Sequence, residues 1–413
     1  MPEQVVITGI GCISCFGIGY RALVDAINSG RSGIAPITRF DTADCRSHCA
    51  ATIRDFDPAA FIPALKLRRV DAVGRVALAC TRLLFEDAGG VLGADGRDDI
   101  GIALGTFTAG LDSLAEYLGG LSEHGPTGVP AILFSNTVSN APASLCAIEC
   151  GLRGPNVTFN HREASSLSAL VFSVGAIRQG RATAMVTGGA DCVEETFFKV
   201  HDRFRALSPM RAGQGDGVEA ARPFARHRNG FILGEGGFLL LVESASAARS
   251  RGARVYGEIL GVGATASKAA LNGWPECGDG LVKAMRLALS DADLGADQVA
   301  AVIGTSNGSP VLDRLEADAI VTVFGRRSIP VASVKGAVGE SGAAGAAGLI
   351  AGVLSIAGGA VVPTIGFLQP DPALAVCVSS RPQPTRGETF LVNSVASGGT
   401  NLSLAVRATP ERS

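Results

Sequence analysis

Apolar positions along this chain follow two rhythms. Short runs rich in Val and Ile alternate with stretches whose apolar residues recur every three or four positions. The first rhythm predicts strands and the second amphipathic helices, so their alternation predicts an α/β fold. The clearest instance runs from Gly154 to Asp191. Val157–Phe159 predicts a strand, a tight polar turn follows, and a helix is predicted from about Ala164, with Leu167, Leu170, Val171, Val174 and Ile177 on one face. A second strand is predicted over Ala184–Val186, leading into Gly188-Gly189. A strand–turn–helix of this kind lifts one side chain to a helix N-terminus, where the helix dipole favours negative charge. A reactive cysteine thiolate would suit that place. The residue there is Glu163.

A faint repeat divides the chain. Val5-Val6-Ile7-Thr8-Gly9-Ile10-Gly11 is a strand pattern closing on G-x-G, and Val255-Tyr256-Gly257-Glu258-Ile259-Leu260-Gly261-Val262-Gly263 closes in the same way. Each leads into a polar loop and then helical sequence. Two related halves are therefore expected, residues 1–253 and 254–413, joined near Ser250–Ala253. A length of 413 residues suits two packed halves better than a single core.

Composition narrows the function classes. With 47% hydrophobic and 18% charged residues the chain is a well-buried globular protein, and the abundance of Gly favours close-packed helices. A net charge of about -2 with no Lys/Arg run argues against nucleic-acid binding. The amino terminus has no basic segment ahead of its first strand, so no signal peptide is expected, and a cytoplasmic location fits. Ser341 to Pro370 carries no charge and is long enough to span a bilayer, but its Gly/Ala-rich composition with Pro363 and Pro370 reads as a buried helix, a Gly-Gly turn and a strand. Cys12 and Cys15 form a CxxC, and Cys45, His48 and Cys49 follow, a set that invites a zinc reading. Cys12 ends an apolar strand and no second tight CxxC exists, so structural cysteines are expected, with no metal and no cofactor.

The Gly154–Asp191 stretch resembles the nucleophile region of β-ketoacyl synthases, the condensing enzymes of fatty-acid and polyketide assembly. Further stretches resemble framework motifs of that family in order: VVITGIG at the start, Leu67–Gly89, Arg205–Met210, Ala221–Glu243 and Asn393–Leu404. The resemblance covers nearly the whole chain. It implies the thiolase fold, a five-layered αβαβα structure built from two similar halves.

The resemblance also marks three chemical positions. Counting from Gly154, the tenth residue is the family's catalytic Cys, and here it is Glu163. The first family histidine opens an HGTGT-like string ahead of a D-x-x-E; with Asp313–Glu316 as that motif, its position is Thr305. The second follows in a string like S-x-K-x-x-x-G-H; here Ser333 to Glu340 keeps Lys335 and places Glu340 at the histidine. Glu163 cannot carry a stable thioester, Thr305 is no imidazole, and an ionised Glu340 would repel a developing enolate. A Glu340–Lys335 ion pair is the expected structural use of that residue. The family's N-S-F-G-F-G-G-T-N gate reads Asn393-Ser394-Val395-Ala396-Ser397-Gly398-Gly399-Thr400-Asn401, with both Phe positions replaced, by Val395 and Ser397.

This pattern resembles the chain-length-factor branch, inert partners of ketosynthases in bacterial type II polyketide systems, whose lost Cys is typically Gln in a string like E-Q-A-x-x-L-x-A. Arg162 to Ala169 is similar, with Glu in place of Gln. The resemblance implies a heterodimer with an active ketosynthase, acyl carrier protein as an indirect partner, and a product of polyketide or polyene type, an aryl polyene among the options. It also implies that Leu133, Phe134, Thr137 and Val138, within Ile132–Pro142, wall a tunnel or pack the dimer core, that the modest side chains of Val138, Val395 and Ser397 would permit a long tunnel, and that Arg68-Arg69 either faces a carrier protein or is a plain basic surface. His161, two residues from Glu163, leaves open a general-base pair, and with it a malonyl-carrier-protein decarboxylase or a thioester hydrolase; a local hydrogen-bonding role for this turn histidine is the plainer reading.

Overall fold

The computed structural model describes residues 3–90, 98–210 and 218–410. Met1 and Pro2 of the amino-terminal stretch lie outside these residues. Ten strands carry the architecture: β1 (Val5–Ser14), β2 (Ile100–Gly105), β3 (Asn156–Phe159), β4 (Ala184–Asp191), β5 (Gly236–Ser244), β6 (Gly257–Ala266), β7 (Ala301–Ile303), β8 (Pro330–Ala332), β9 (Thr389–Val395) and β10 (Thr400–Ala408). They follow the order β8-β7-β9-β10-β6-β1-β5-β4-β2-β3, with Cys377–Val378 added beyond β8. The order is the same outward from the centre on each side. β1 and β6 meet antiparallel over Val5–Ile7 and Gly257–Ile259; β5 and β10, then β4 and β9, then β2 and β7, then β3 and β8 take corresponding places. The two strand patterns that close on G-x-G thus lie side by side at the middle.

Helices complete five layers. On one outer face lie α1 (Ala72–Asp87) and α4 (Ala141–Cys150), while α2 (Leu111–His124) and α3 (Ala131–Phe134), between them in sequence, pack against each other; on the other face lie α6 (Asp279–Asp291) and α7 (Pro310–Phe324). Between the two sets of strands lie α5 (Ser165–Arg178) and α9 (Ala344–Ala357), each touching strands of both halves; α8 (Lys335–Val338) is a single turn ahead of α9. Three apolar clusters fill the spaces: a central one around α5 and α9, and one beneath each outer layer. Because α9 lies inside, it has no polar face: its 14 residues are nearly all buried Ala, Gly, Leu, Ile and Val. Among the described residues, no helix is long and apolar enough to cross a membrane.

Two glycines show how closely the layers approach. A Cβ on Gly11 of β1 would come within 1.9 Å of the Cys80 carbonyl oxygen on α1. One on Gly105, at the end of β2, would lie 2.3 Å from the Ser165 backbone, so the N-terminus of α5 can seat against the strand only because residue 105 has no side chain. That seat fixes the turn carrying Glu163.

Two sequence expectations shift in detail. The helix expected from about Ala164 opens with a 3-10 turn over Arg162–Ala164 before α5 proper, and β4 runs on to Asp191 instead of stopping at Val186. Paired by β2 on one edge and β5 on the other, β4 has ladder partners through its Gly-Gly.

Candidate functional site

Glu163, Thr305, Lys335, Glu340, Val395 and Ser397 come from four separate stretches and meet in one buried cluster. Glu163 sits in the turn between β3 and α5. Its two oxygens take the Ser397 N–H at 3.0 Å and the Ser397 hydroxyl at 3.0 Å, and its own backbone N–H also points to the carboxylate. Backbone donors converging there would hold a developing oxyanion in an acyl-transfer enzyme; here an internal carboxylate fills the place. Burial pushes the Glu163 carboxyl up to about 7, and the charge of Glu340 pushes the same way; its amide donors and Lys335 pull against both.

Glu340 stands at the head of α9 with different company. Lys335 Nζ lies 2.8 Å from Glu340 Oε2, Asn307 Nδ2 donates to the same oxygen at 2.6 Å, and the Ser341 N–H donates to Oε1 at 3.1 Å. The side chains of the ion pair are only 3% and 2% exposed. Burial raises the Glu340 pKa, while Lys335, Asn307 and Ser341 oppose it. Lys335 also donates to Thr305 Oγ1 at 3.2 Å, and that oxygen accepts the Val395 N–H at 3.2 Å. Thr305 thus serves as a hydrogen-bonding hub with no acid–base capacity near neutral pH.

The loop bearing Thr305 is pinned from below. Glu316 Oε1 accepts the Thr305 N–H at 2.9 Å and its Oε2 the Ser306 N–H at 2.7 Å, while Asp313 accepts the N–H groups of Asn307, Gly308 and Phe224. Burial lifts Asp313 to about 7 against these donors. The D-x-x-E that served to locate Thr305 is therefore a backbone clamp: residues 313 and 316 share one helix face one turn apart and collect the free amides of the preceding loop.

Three contributors carried no recognised signal in the sequence. Arg162 has φ 53, a left-handed conformation costing an ordinary residue about 1–3 kcal/mol, and its guanidinium donates to Ser397 Oγ at 3.1 Å and to Asn272 Oδ1 at 2.6 Å. Asn307 lies two residues after Thr305, in the same loop. Asp191 ends β4 and gathers the Phe107, Thr108 and Ala343 N–H groups, joining the β2 end to the start of α9. A charged residue closing a Gly-Gly strand was the one clue to Asp191.

Other candidates fall elsewhere. His161 does not pair with Glu163: its Nδ1 lies 3.0 Å from Ser168 Oγ and its ring meets Phe159 edge-on. Leu133, Phe134, Thr137 and Val138 stay outside the cluster, on and after α3, where Phe134 packs against Tyr117 yet is 64% exposed and Val138 is 47% exposed. Arg68 and Arg69 are exposed ahead of α1, with the Arg69 carbonyl accepting from Asn136 at 2.9 Å. His48 Nδ1 contacts Thr42, Cys12 is buried in β1, and among the described residues no group of three or more His, Cys, Asp or Glu side chains is placed to hold a metal ion.

Comparison with known proteins matches this geometry. Residues 2–248 match the β-ketoacyl synthase N-terminal domain and residues 256–368 its C-terminal domain. The chain is 32% identical to the tetracenomycin polyketide synthase ketoacyl synthase alpha subunit of Streptomyces glaucescens, over 99% of this chain and 98% of that protein. It is 29% identical to 3-oxoacyl-[acyl-carrier-protein] synthase 2 of Coxiella burnetii, over 98% of each. The solved ishigamide ketosynthase/chain length factor superposes with a TM-score of 0.90 at 31% identity, covering 99% of this chain and 100% of that one. The chain belongs to the β-ketoacyl synthase family.

Proposed function

We propose that this chain is a non-catalytic ketosynthase-like subunit of the chain-length-factor type. It pairs with an active ketosynthase in the cytoplasm, receives no acyl group itself, and shapes the tunnel in which the partner's polyketide or polyene chain grows. Residues 1–253 and 254–413 are its two thiolase-like halves. The observation that carries this reading is the cluster itself: Glu163, Thr305 and Glu340 stand where the family keeps Cys, His and His, and their polar groups are tied to Ser397, Val395, Lys335 and Asn307. Such a site has no thiolate to accept an acyl chain and no imidazole to polarise a thioester. The likeness to the ishigamide ketosynthase/chain length factor supports it; the relatives named as synthases support the family and not the inert role.

Two surface features support a partner. β3 lies at the end of the strand order, where an edge is open to pairing. Ile132, Phe134 and Val138, on and after α3, are exposed large apolar residues, a group that suits an interface. Leu133, Phe134, Thr137 and Val138 are assigned there to tunnel wall or dimer core. Acyl carrier protein reaches the complex mainly through the partner.

The rival reading is a decarboxylase or hydrolase built on Glu163, favoured only by a carboxyl that titrates near neutrality. Co-expression with a ketosynthase that retains Cys-His-His tests the proposal. The two chains should purify as a one-to-one complex, and a larger side chain at Thr137 or Val138 should shorten the product. Recovery of this chain only as a homodimer, with product lengths unchanged by its presence, would overturn it.

A further inference from the structure

Arg162 and Glu163 are neighbours of opposite charge that converge on one hydroxyl. Ser397 Oγ can accept from Arg162 Nη1 at 3.1 Å and donate to a Glu163 oxygen at 3.0 Å, so it satisfies both at once. Three more contacts tie the same turn down: the Ser397 N–H to Glu163 Oε2, the Ser394 hydroxyl to the Glu163 carbonyl at 3.3 Å, and Arg162 Nη2 to Asn272. The two loops reached in this way also hold each other. The Gly398 N–H donates to the Gly273 carbonyl at 3.0 Å, and the Ser267 N–H to the Gly399 carbonyl at 2.8 Å. Along the outside of the loop after β6 runs an open groove of about 930 Å³, lined by Ser267, Lys268, Trp274 and Cys277. Arg162 joins that loop to the Glu163 turn.

We propose that Arg162 and Glu163 form an internal latch: together they hold the β9–β10 loop and the loop after β6 closed over the turn and keep acyl thioesters out of this chain. The inference deepens the non-catalytic reading and rests on it. It adds that inertness is enforced by closure as well as by missing chemistry. The left-handed Arg162 backbone suits this role, because an αL residue held there aims the guanidinium at Ser397 and Asn272 while the next residue aims its carboxylate at Ser397.

A thiol placed in the turn reports access. In the full chain carrying Glu163→Cys, Arg162 still reaches Ser397 and Asn272, so iodoacetamide labelling of the introduced thiol, followed site by site by peptide mass spectrometry, should be slow. Adding Arg162→Asn, a short residue that tolerates the left-handed backbone, should speed it by about tenfold or more. On electrostatics alone, loss of the cation would disfavour the thiolate and slow labelling, so acceleration reads opening. Arg162→Asn in the otherwise unchanged chain gives a second readout. Amide exchange over residues 394–399 and 267–274 should rise by about tenfold, with β1 unchanged. Equal or slower labelling, or unchanged exchange over residues 394–399, would overturn the latch. Product lengths that respond to this chain while labelling rates stay equal would remove the latch and leave the shaping role. Opening of the latch with no effect on product would do the reverse.

Discussion

Glu163 and Glu340 occupy related places in the two halves. Each follows a strand at a corresponding position, β3 or β8, and each precedes a central helix, α5 or α9. Both are buried, yet their partners differ. Glu340 has an ammonium at 2.8 Å, whereas Glu163 has only a hydroxyl and amides on its oxygens. Both carboxyls are pushed up by burial, but a cation favours the charged form of Glu340 directly, whereas Glu163 is held by neutral donors. The same residue type thus serves as a brace in one half and as a titrating clasp in the other.

The largest expected effect breaks the brace. Lys335→Met leaves Glu340 buried beside Glu163 with no cation, and should lower stability at neutral pH by about 3–5 kcal/mol. Adding Glu340→Gln should recover most of that loss, as denaturant midpoints will show. If the single variant is as stable as the natural chain, the pair is no brace.

The clasp should respond to pH. Glu163 has a folded pKa of about 7 against 4.5 for the free side chain. The folded state therefore binds the proton more tightly. The stability this confers is fully present below about pH 4.5 and is lost as pH rises through about 7. Relative to Glu163→Gln, the natural chain should lose on the order of 3 kcal/mol across that window and change little above it. Unfolding midpoints measured at a series of pH values check this. A constant difference between the two proteins would show that Glu163 does not titrate there.

Much of this comparison was legible in the sequence, for a physical reason. The alternation of strand and helix patterns fixes the layers, and the turns after β3 and β8 present side chains at set offsets from their helices. Counting along motifs was therefore enough to find Glu163, Thr305 and Glu340. Arg162 and Asn272 were not legible. Their link joins residues 110 positions apart through one side chain and a positive φ, and neither leaves a periodic trace. Asp191 was hidden in the same way: the amides it gathers lie far away in sequence, and nothing in a strand pattern names the partners of its last residue. The tunnel candidates at Leu133, Phe134, Thr137 and Val138 are half-buried or exposed, away from the cluster.

The most direct test of an inert site is to give the purified chain malonyl- and acyl-carrier protein and follow carbon dioxide, free acid and the intact mass of the protein. The account predicts no mass gain, and no carbon dioxide or free acid beyond that seen with Glu163→Ala. Release of either product by the natural chain, lost in Glu163→Ala, would contradict it.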